Sequence, residues 1–192
     1  MSRDGRLFIM HDETTGRTCD GDVSIEGSDA SLIDGITLKN GEPVPGLLDV
    51  LDLVRGRAAL NIEVKSRGAG AMTAAVLRTA RYSGNILLSS FDEREIIAAR
   101  SVDPKLPVAG IFDAFAPESV PVYAKSGCSV ISLNRKAVSR ELVERFHAYG
   151  VRVYVWTVDD RSEMEALLDS GVDGIYSNRP CELRSLVDGR IR

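Results

Sequence analysis

Apolar and polar positions form a repeating pattern along most of this chain. Six apolar runs of the kind found in strands are centred at Ile62, Leu88, Ala109, Ile131, Val155 and Ile175. The centres are 20 to 26 residues apart, which is the length of a strand, a helix and two short loops. Between the runs, apolar residues recur at helical spacing, as Leu142, Val143 and Phe146 do. Strands that alternate with helices in this way predict parallel βαβ units.

Sequence signals mark the ends of several of these helices. Asp92 with Glu95, and Ser162 with Glu165, have the spacing of a capping box at a helix N-terminus. Glycines follow four helical segments and are predicted to cap their C-termini, at Gly84, Gly127, Gly150 and Gly171. These signals agree with the boundaries that the apolar pattern gives.

The region before the first repeat is less regular. Leu7–Met10 is an apolar run and is predicted to be a β segment. Residues 12–46 are rich in Gly, Asp, Thr and Ser and are predicted to be mostly loop, with a short helix near Ala30–Ile33. Apolar residues at helical spacing predict a helix from Leu47 to Val54, which Gly56 would end.

Two α/β architectures fit these repeats: an open doubly wound sheet and a (β/α)₈ TIM barrel. No glycine-rich phosphate-binding fingerprint opens a predicted helix, which counts against a dinucleotide-binding sheet. Polar residues follow the strands at Glu63, Lys65, Ser89, Ser90, Asp113, Asn134, Trp156, Thr157, Ser177 and Asn178. Barrel enzymes have their active sites at that end of the strands, so the barrel is favoured. Six βα strands plus an N-terminal β run leave it without the first two of its eight strands.

The run from Leu60 to Lys65 carries charges that a buried strand normally excludes. Because side chains alternate along an extended chain, Asn61, Glu63 and Lys65 are predicted to lie on one face. One interpretation is an ion pair between Glu63 and Lys65 on the surface of an edge strand. The other is a site that binds a cation and an anion together, since ionised groups in a sheet need a partner or a ligand.

Composition narrows the class of protein. A chain of 192 residues, 44% hydrophobic and 27% charged, predicts one globular domain over residues 1–192. A net charge of −4 with interspersed signs argues against a nucleic-acid partner. No apolar run approaches the ~18 residues of a membrane span, and the first ten residues do not resemble a signal peptide. Cys19, Cys128 and Cys181 have no zinc-ligand spacing, so free thiols and a cytoplasmic location are expected.

Five stretches carry a more specific signal. They are Asp4–Thr14, Leu60–Lys65, Ser89–Phe91, Val155–Val158 and Gly171–Pro180. Together, and in this order, they resemble the glycerophosphodiester phosphodiesterases. The resemblance implies a (β/α)₈ barrel enzyme that hydrolyses glycerophosphodiesters to sn-glycerol 3-phosphate and an alcohol. It also implies a divalent cation, Mg²⁺ or Ca²⁺, and a pair of histidines that act as acid and base.

The resemblance assigns roles by position. His11 corresponds to the second catalytic histidine, Glu63 to a metal-ligand carboxylate and Lys65 to the cation beside the phosphate. Trp156 corresponds to an aromatic residue at the substrate mouth. These residue types suit the reaction, because positive groups offset the charge of a phosphodiester and a histidine can protonate the leaving alkoxide. Taken singly, His11 could cap a loop, Lys65 could be a solvated charge and Trp156 could be a packed ring. His147 is expected to lie at the surface or to pack.

The chain departs from the family's pattern at its N-terminus. Family members begin with His-Arg-Gly, Glu-Asn-Thr and Glu-x-Asp stretches, which would supply the first histidine and two of three metal carboxylates. None of them occurs before Ser2. Two explanations are open: Met1 is an internal methionine of a longer protein, or a real truncation has abolished catalysis. We expect this chain alone to be inactive, to bind metal weakly and to self-associate through open sheet edges.

Three functions are therefore considered. The first is a metal-dependent phosphodiesterase that acts on glycerophosphodiesters. The second is a remnant of the same fold that binds a phosphoester or a partner protein without catalysis. The third is a Schiff-base lyase, since a lysine such as Lys65 at the end of a barrel strand can condense with a carbonyl.

Overall fold

The computed structural model describes residues 1–55, 57–82 and 84–190. Its six strands are β1 (Leu60–Glu63), β2 (Ile86–Ser90), β3 (Val108–Phe112), β4 (Val130–Asn134), β5 (Arg152–Trp156) and β6 (Gly174–Ile175). Its helices are α1 (Ala30–Asp34), α2 (Leu47–Val54), α3 (Ala69–Thr79), α4 (Glu93–Val102), α5 (Val120–Lys125), α6 (Arg140–His147), α7 (Arg161–Asp169) and α8 (Pro180–Arg190). Strands and helices alternate from β1 onwards, as the spacing of the apolar runs predicts.

The strands follow one another in the sheet in chain order, β1-β2-β3-β4-β5-β6. From β2 to β6 each strand pairs in parallel with the next, with Ser89 beside Ala109 and Leu133 beside Val155. A doubly wound sheet reverses its strand order at a switch point, and these six strands do not. The prediction of a (β/α)₈-type barrel topology with six βα strands is therefore confirmed for the described residues.

The chain divides into two compact units. The first comprises Met1–Leu87 with Glu93–Leu106, and the second comprises Leu88–Asp92 with Pro107–Arg192. The single domain predicted over residues 1–192 stays a prediction.

Each unit has its own apolar core. In the second unit Leu133 and Val155, which point to the same face of their strands, are fully buried against Phe146 of α6 and Met164 of α7. In the first unit the loop region before β1 has a smaller core that includes Phe8, Ile33 and Val44. The loop of residues 12–46 is therefore anchored by apolar contacts.

The β segment predicted at Leu7–Met10 is reduced to a single bridge. Within it, Phe8 forms an isolated antiparallel bridge with Gly46. The backbone N–H of Ile9 donates to the carbonyl of Pro45. Prolines have no backbone N–H to donate, so the neighbouring segment with Pro43 and Pro45 cannot extend the ladder. The predictions of α1 and α2 are confirmed, and the proposed end of α2 at Gly56 lies outside the described residues.

Neither predicted capping box closes as its sequence spacing indicates. The carboxylate of Glu95 binds the backbone of another helix, as described below. Helix α7 begins two residues earlier than expected, because Asp160 is its N-cap and accepts from the N–H of Glu163. Gly127, Gly150 and Gly171 have φ of 78°, 72° and 88°, the left-handed conformation of a glycine C-cap. Gly84 does not cap α3, because Arg81 takes the positive φ there.

None of the helices in the described ranges is long and apolar enough to span a membrane. All three cysteines are free thiols, with Cys19 and Cys128 buried and Cys181 exposed.

Candidate active site

A cleft of about 710 Å³ in the first unit brings together three of the four predicted site residues. His11, Glu63 and Lys65 line it, together with Asp12 and the neighbouring loop. His11 comes from the segment after Leu7–Met10, whereas Glu63 and Lys65 come from the end of β1. Residues separated by more than 50 positions thus meet in one cleft.

The face of β1 is arranged as the alternation of side chains predicts. Asn61, Glu63 and Lys65 are exposed, whereas Ile62 is half-buried and Val64 is buried. The Lys65 Nζ lies 3.7 Å from the Glu63 Oε1, so the ion pair of the simpler interpretation is present. The same Nζ also donates a hydrogen bond of 2.8 Å to the backbone carbonyl of His11. This second contact ties the ammonium group to the backbone of His11, and a surface ion pair alone would not need it.

His11 is held by a carboxylate that is itself held by an arginine. The Nδ1 of His11 lies 2.7 Å from Oδ1 of Asp12, and the Nε of Arg17 donates to Oδ2 of Asp12 over 2.5 Å. The Arg17 guanidinium, and then the His11 ring, lower the pKa of Asp12 from 3.8 to about 2. Asp12 is therefore ionised at neutral pH and favours a proton on Nδ1 of His11.

Sequence reasoning missed Arg17 altogether. The pairing of His11 with Asp12 at the start of a loop was a usable signal, because adjacent histidine and carboxylate side chains can bond directly. No pattern marks Arg17, because its contact with Asp12 depends on the path of the loop. The structure thus adds Asp12 and Arg17 to the candidate residues.

The residues of this cleft do not by themselves fit a firmly held divalent cation. Within the described part of the chain, no three histidine, cysteine or acidic side chains are grouped so that they could hold a metal ion. Glu63 is paired with Lys65, and Asp12 with Arg17. Mg²⁺ and Ca²⁺ take about six or more oxygen ligands. Glu13 and Glu26 also line the cleft, but they are not grouped with Asp12 and Glu63 closely enough to complete such a set.

Trp156 lies in the second unit, at the end of β5. Its ring is half-buried and makes an edge-to-face contact with Phe91, with the ring centroids 5.6 Å apart. The indole Nε1 is buried and has no hydrogen-bond partner among the residues that the structure describes. A buried donor without a partner is uncommon and suits a polar ligand group, although the ring contact alone would also fit simple packing.

Other polar residues at the strand ends bind one another. Ser177 and Asn178 both donate to the carboxylate of Asp159. The Asn178 side chain is the main cause of the lowered pKa of Asp159. His147 lies at the surface, as expected, with its Nε2 2.8 Å from Oδ2 of Asp173. These groups stabilise loops and helix ends and are not further site candidates.

Comparison with known proteins shows the family of this chain. The model of the glycerophosphoryl diester phosphodiesterase family matches residues 1–182. The chain belongs to this family. By its family, it is a phosphodiesterase.

Members of the glycerophosphodiester phosphodiesterase family resemble this chain along nearly its whole length. A glycerophosphodiester phosphodiesterase from Caldanaerobacter subterraneus subsp. tengcongensis is 27% identical, over 97% of this chain and 82% of the relative. The crystal structure of a glycerophosphodiester phosphodiesterase from Agrobacterium tumefaciens has a TM-score of 0.81 at 28% identity, over 96% of this chain and 83% of that one.

A third comparison concerns the fold alone. A phosphodiesterase from Oleispira antarctica, solved in complex with its product sn-glycerol-3-phosphate, has a TM-score of 0.88 at 22% identity. The match covers 98% of this chain and 82% of the Oleispira protein.

Proposed function

We propose that this chain acts on glycerophosphodiesters and releases sn-glycerol 3-phosphate and an alcohol, against the expectation from its N-terminal motifs that it is inactive alone. The observation that carries the proposal is the 2.8 Å bond from the Lys65 Nζ to the carbonyl of His11, because it ties the ammonium group to the backbone of His11 in the cleft that both residues line. The family relationship supports the same substrate class.

In this proposal Lys65 binds the phosphate. A phosphodiester is anionic, and its charge grows on the oxygens that leave or that surround the phosphorus in the transition state. The ammonium group of Lys65 is fixed by the His11 carbonyl and by Glu63, so it requires little reorganisation when the substrate arrives. Lys65 therefore offsets the charge that develops during the reaction.

His11 protonates the leaving group. Asp12 accepts from the Nδ1–H of the ring, so His11 acts in its doubly protonated form and gives its Nε2 proton to the alkoxide as the bond from phosphorus to the alcohol oxygen breaks. The oxygen of a water molecule forms the new bond to phosphorus, and a proton from that water returns to Nε2. Arg17 keeps Asp12 ionised, and Asp12 keeps the ring in one orientation. The two residues act as positioning residues for His11.

A divalent cation, Mg²⁺ or Ca²⁺, is part of this proposal only as a group that Glu63 would help to bind. Glu63 would be one of its oxygen ligands, and the described residues do not supply the rest of the set. When bound, such a cation would add positive charge beside the phosphate. No step assigned above to His11 or Lys65 depends on it.

Binding without turnover is the second candidate function. Its support is that Lys65 and His11 can hold a phosphoester, whereas the carboxylates needed for a firm metal site are too few. A catalytically dead protein that binds a phosphoester would keep the same cleft. A partner protein with an exposed phosphoester would be bound in the same way.

A single experiment separates the two candidates. The purified chain is incubated with glycerophosphocholine, with Mg²⁺, with Ca²⁺ or with EDTA, and the released glycerol 3-phosphate is measured by a coupled dehydrogenase assay. Release by the wild type and loss in Lys65→Met support the enzyme, provided that the exposed control Lys105→Met keeps its activity. Glycerol 3-phosphate binding by calorimetry, without any hydrolysis, would support the binding protein and overturn the proposed reaction.

A further inference from the structure

Glu95 is a buried residue of α4 that takes no part in the reaction steps proposed for His11 and Lys65. Its side chain is almost fully buried, with the residue only 4% exposed. Its Oε1 accepts a hydrogen bond of 2.7 Å from the N–H of Gly68, and its Oε2 accepts one of 2.7 Å from the N–H of Gly70. An ionised carboxylate is costly to bury unless donors compensate it, and these two N–H groups lie at the N-terminus of α3.

The contact between the two helices leaves room only for glycine. A Cβ atom built on Gly70 would lie 2.2 Å from the backbone oxygen of Glu95. Gly68 has a φ of 78°, a left-handed conformation that other residues rarely adopt. The start of α3 therefore packs directly against α4, and Glu95 holds that contact through both of its carboxylate oxygens.

The segment that Glu95 holds is the one that follows Lys65. Within this segment, residues 66–70, the N–H of Ala69 donates to the carbonyl of Ser66 over 3.2 Å. Gly68, the first residue that Glu95 binds, is three positions after Lys65. Fixing this turn fixes the backbone from which the Lys65 side chain reaches the carbonyl of His11.

We propose that Glu95 is a positioning residue for Lys65. By binding the N–H groups of Gly68 and Gly70, it holds segment 66–70 and thereby the position of the Lys65 ammonium group beside His11. The effect of Glu95 on phosphate binding rests on the proposed function. Its effect on the position of segment 66–70 does not.

The first test does not depend on any ligand. Glu95→Gln replaces one accepting oxygen with an amide group that cannot accept from an N–H, and exposed Glu93→Gln makes the same charge change on the same helix turn as a control. In Glu95→Gln, we expect peptides covering residues 64–72 to exchange amide hydrogen roughly tenfold faster. The rate at which an amine-acylating reagent labels Lys65 should also change by several-fold. Glu93→Gln should leave both rates unchanged.

The second test asks whether Glu95 acts through Lys65. Calorimetry measures the Kd of sn-glycerol 3-phosphate for wild type, Glu95→Gln, Lys65→Met and the double variant. We expect Glu95→Gln to weaken binding in the wild-type background and to have no further effect once Lys65 is removed. Equal weakening in both backgrounds would overturn the positioning role, because Glu95 would then act independently of Lys65.

The outcomes separate this proposal from the proposed function. If the wild type neither binds glycerol 3-phosphate nor hydrolyses glycerophosphocholine, the proposed function fails, and the exchange and labelling rates still decide the role of Glu95. Unchanged rates in a folded Glu95→Gln protein would overturn that role. If Glu95→Gln does not fold, Glu95→Asp takes its place, because it keeps the charge but shortens the reach of the carboxylate by one methylene.

Discussion

The contribution of Lys65 can be predicted from its surroundings. Two unit charges 4 Å apart interact with about 4 kcal/mol at the effective dielectric constant near a protein surface, and with about 1 kcal/mol in water. The Lys65 side chain is 39% exposed, so its interaction with a bound phosphate lies between these limits. A value of about 2 kcal/mol corresponds to roughly a 30-fold change in rate or affinity.

Removing Lys65 has a second effect. The Glu63 carboxylate, 3.7 Å from the Lys65 Nζ, would be left without its partner and would repel an incoming phosphate. We therefore expect Lys65→Met to lower kcat/KM for glycerophosphocholine by about 30-fold or more. The thermal midpoint should change little, because exposed ion pairs contribute little to the free energy of unfolding.

A double variant separates the possible roles of Glu63. If Glu63 serves only as the ion-pair partner of Lys65, Lys65→Met with Glu63→Gln should recover part of the lost kcat/KM, because the unpaired charge is gone. If Glu63 also holds a cation, the double variant should be at least as impaired as Lys65→Met. The assay is initial-rate release of glycerol 3-phosphate, with circular dichroism as the check on folding.

The reasoning has a clear point of failure. A Lys65→Met protein whose kcat/KM stays within twofold of wild type, with Lys105→Met as the matched charge control, would refute the assignment of Lys65 to the phosphate.

Four further predictions follow from the site and the sheet. If Glu63 is the metal ligand that the family resemblance assigns, Glu63→Gln alone should reduce turnover by about 10²-fold with little change in folding, and near-normal turnover would refute that role. The fluorescence of Trp156, the one tryptophan of the chain, should change with saturating sn-glycerol 3-phosphate, whereas constant emission would place the ring away from the site. The pKa of Asp12 in the folded protein is about 2, below its ordinary 3.8. Its bonds to Arg17 and His11 should therefore persist above pH 3.8 and be lost as the pH falls toward 2. NMR titration of the His11 ring measures the loss of the bond to Asp12. The outer strands β1 and β6 should allow self-association, and a monomer at all concentrations in sedimentation velocity would contradict it.

The repeating units of the fold could be predicted from the sequence because they depend on local periodicity. All six strand centres lie in observed strands, and three of the predicted glycine caps have the positive φ that a helix end requires. Alternation along β1 likewise placed Asn61, Glu63 and Lys65 on one exposed face. In each case the determining interactions join residues that are close along the chain.

The resemblance to a family, together with this alternation, was enough to select the principal candidates. His11, Glu63 and Lys65 were named from short motifs, and all three line one cleft. The motifs did not reveal that Lys65 reaches the carbonyl of His11, 54 positions away.

Tertiary structure alone decided the features that depend on contacts across the chain. Glu95 has the sequence signature of a cap for its own helix, yet its carboxylate binds the N-terminus of α3, 25 to 27 positions earlier. The Leu7–Met10 run looks like a strand, but the prolines of the segment beside it limit the pairing to one bridge. Propensity and periodicity describe a residue within its own element, whereas hydrogen bonds and burial depend on which other elements the fold places next to it.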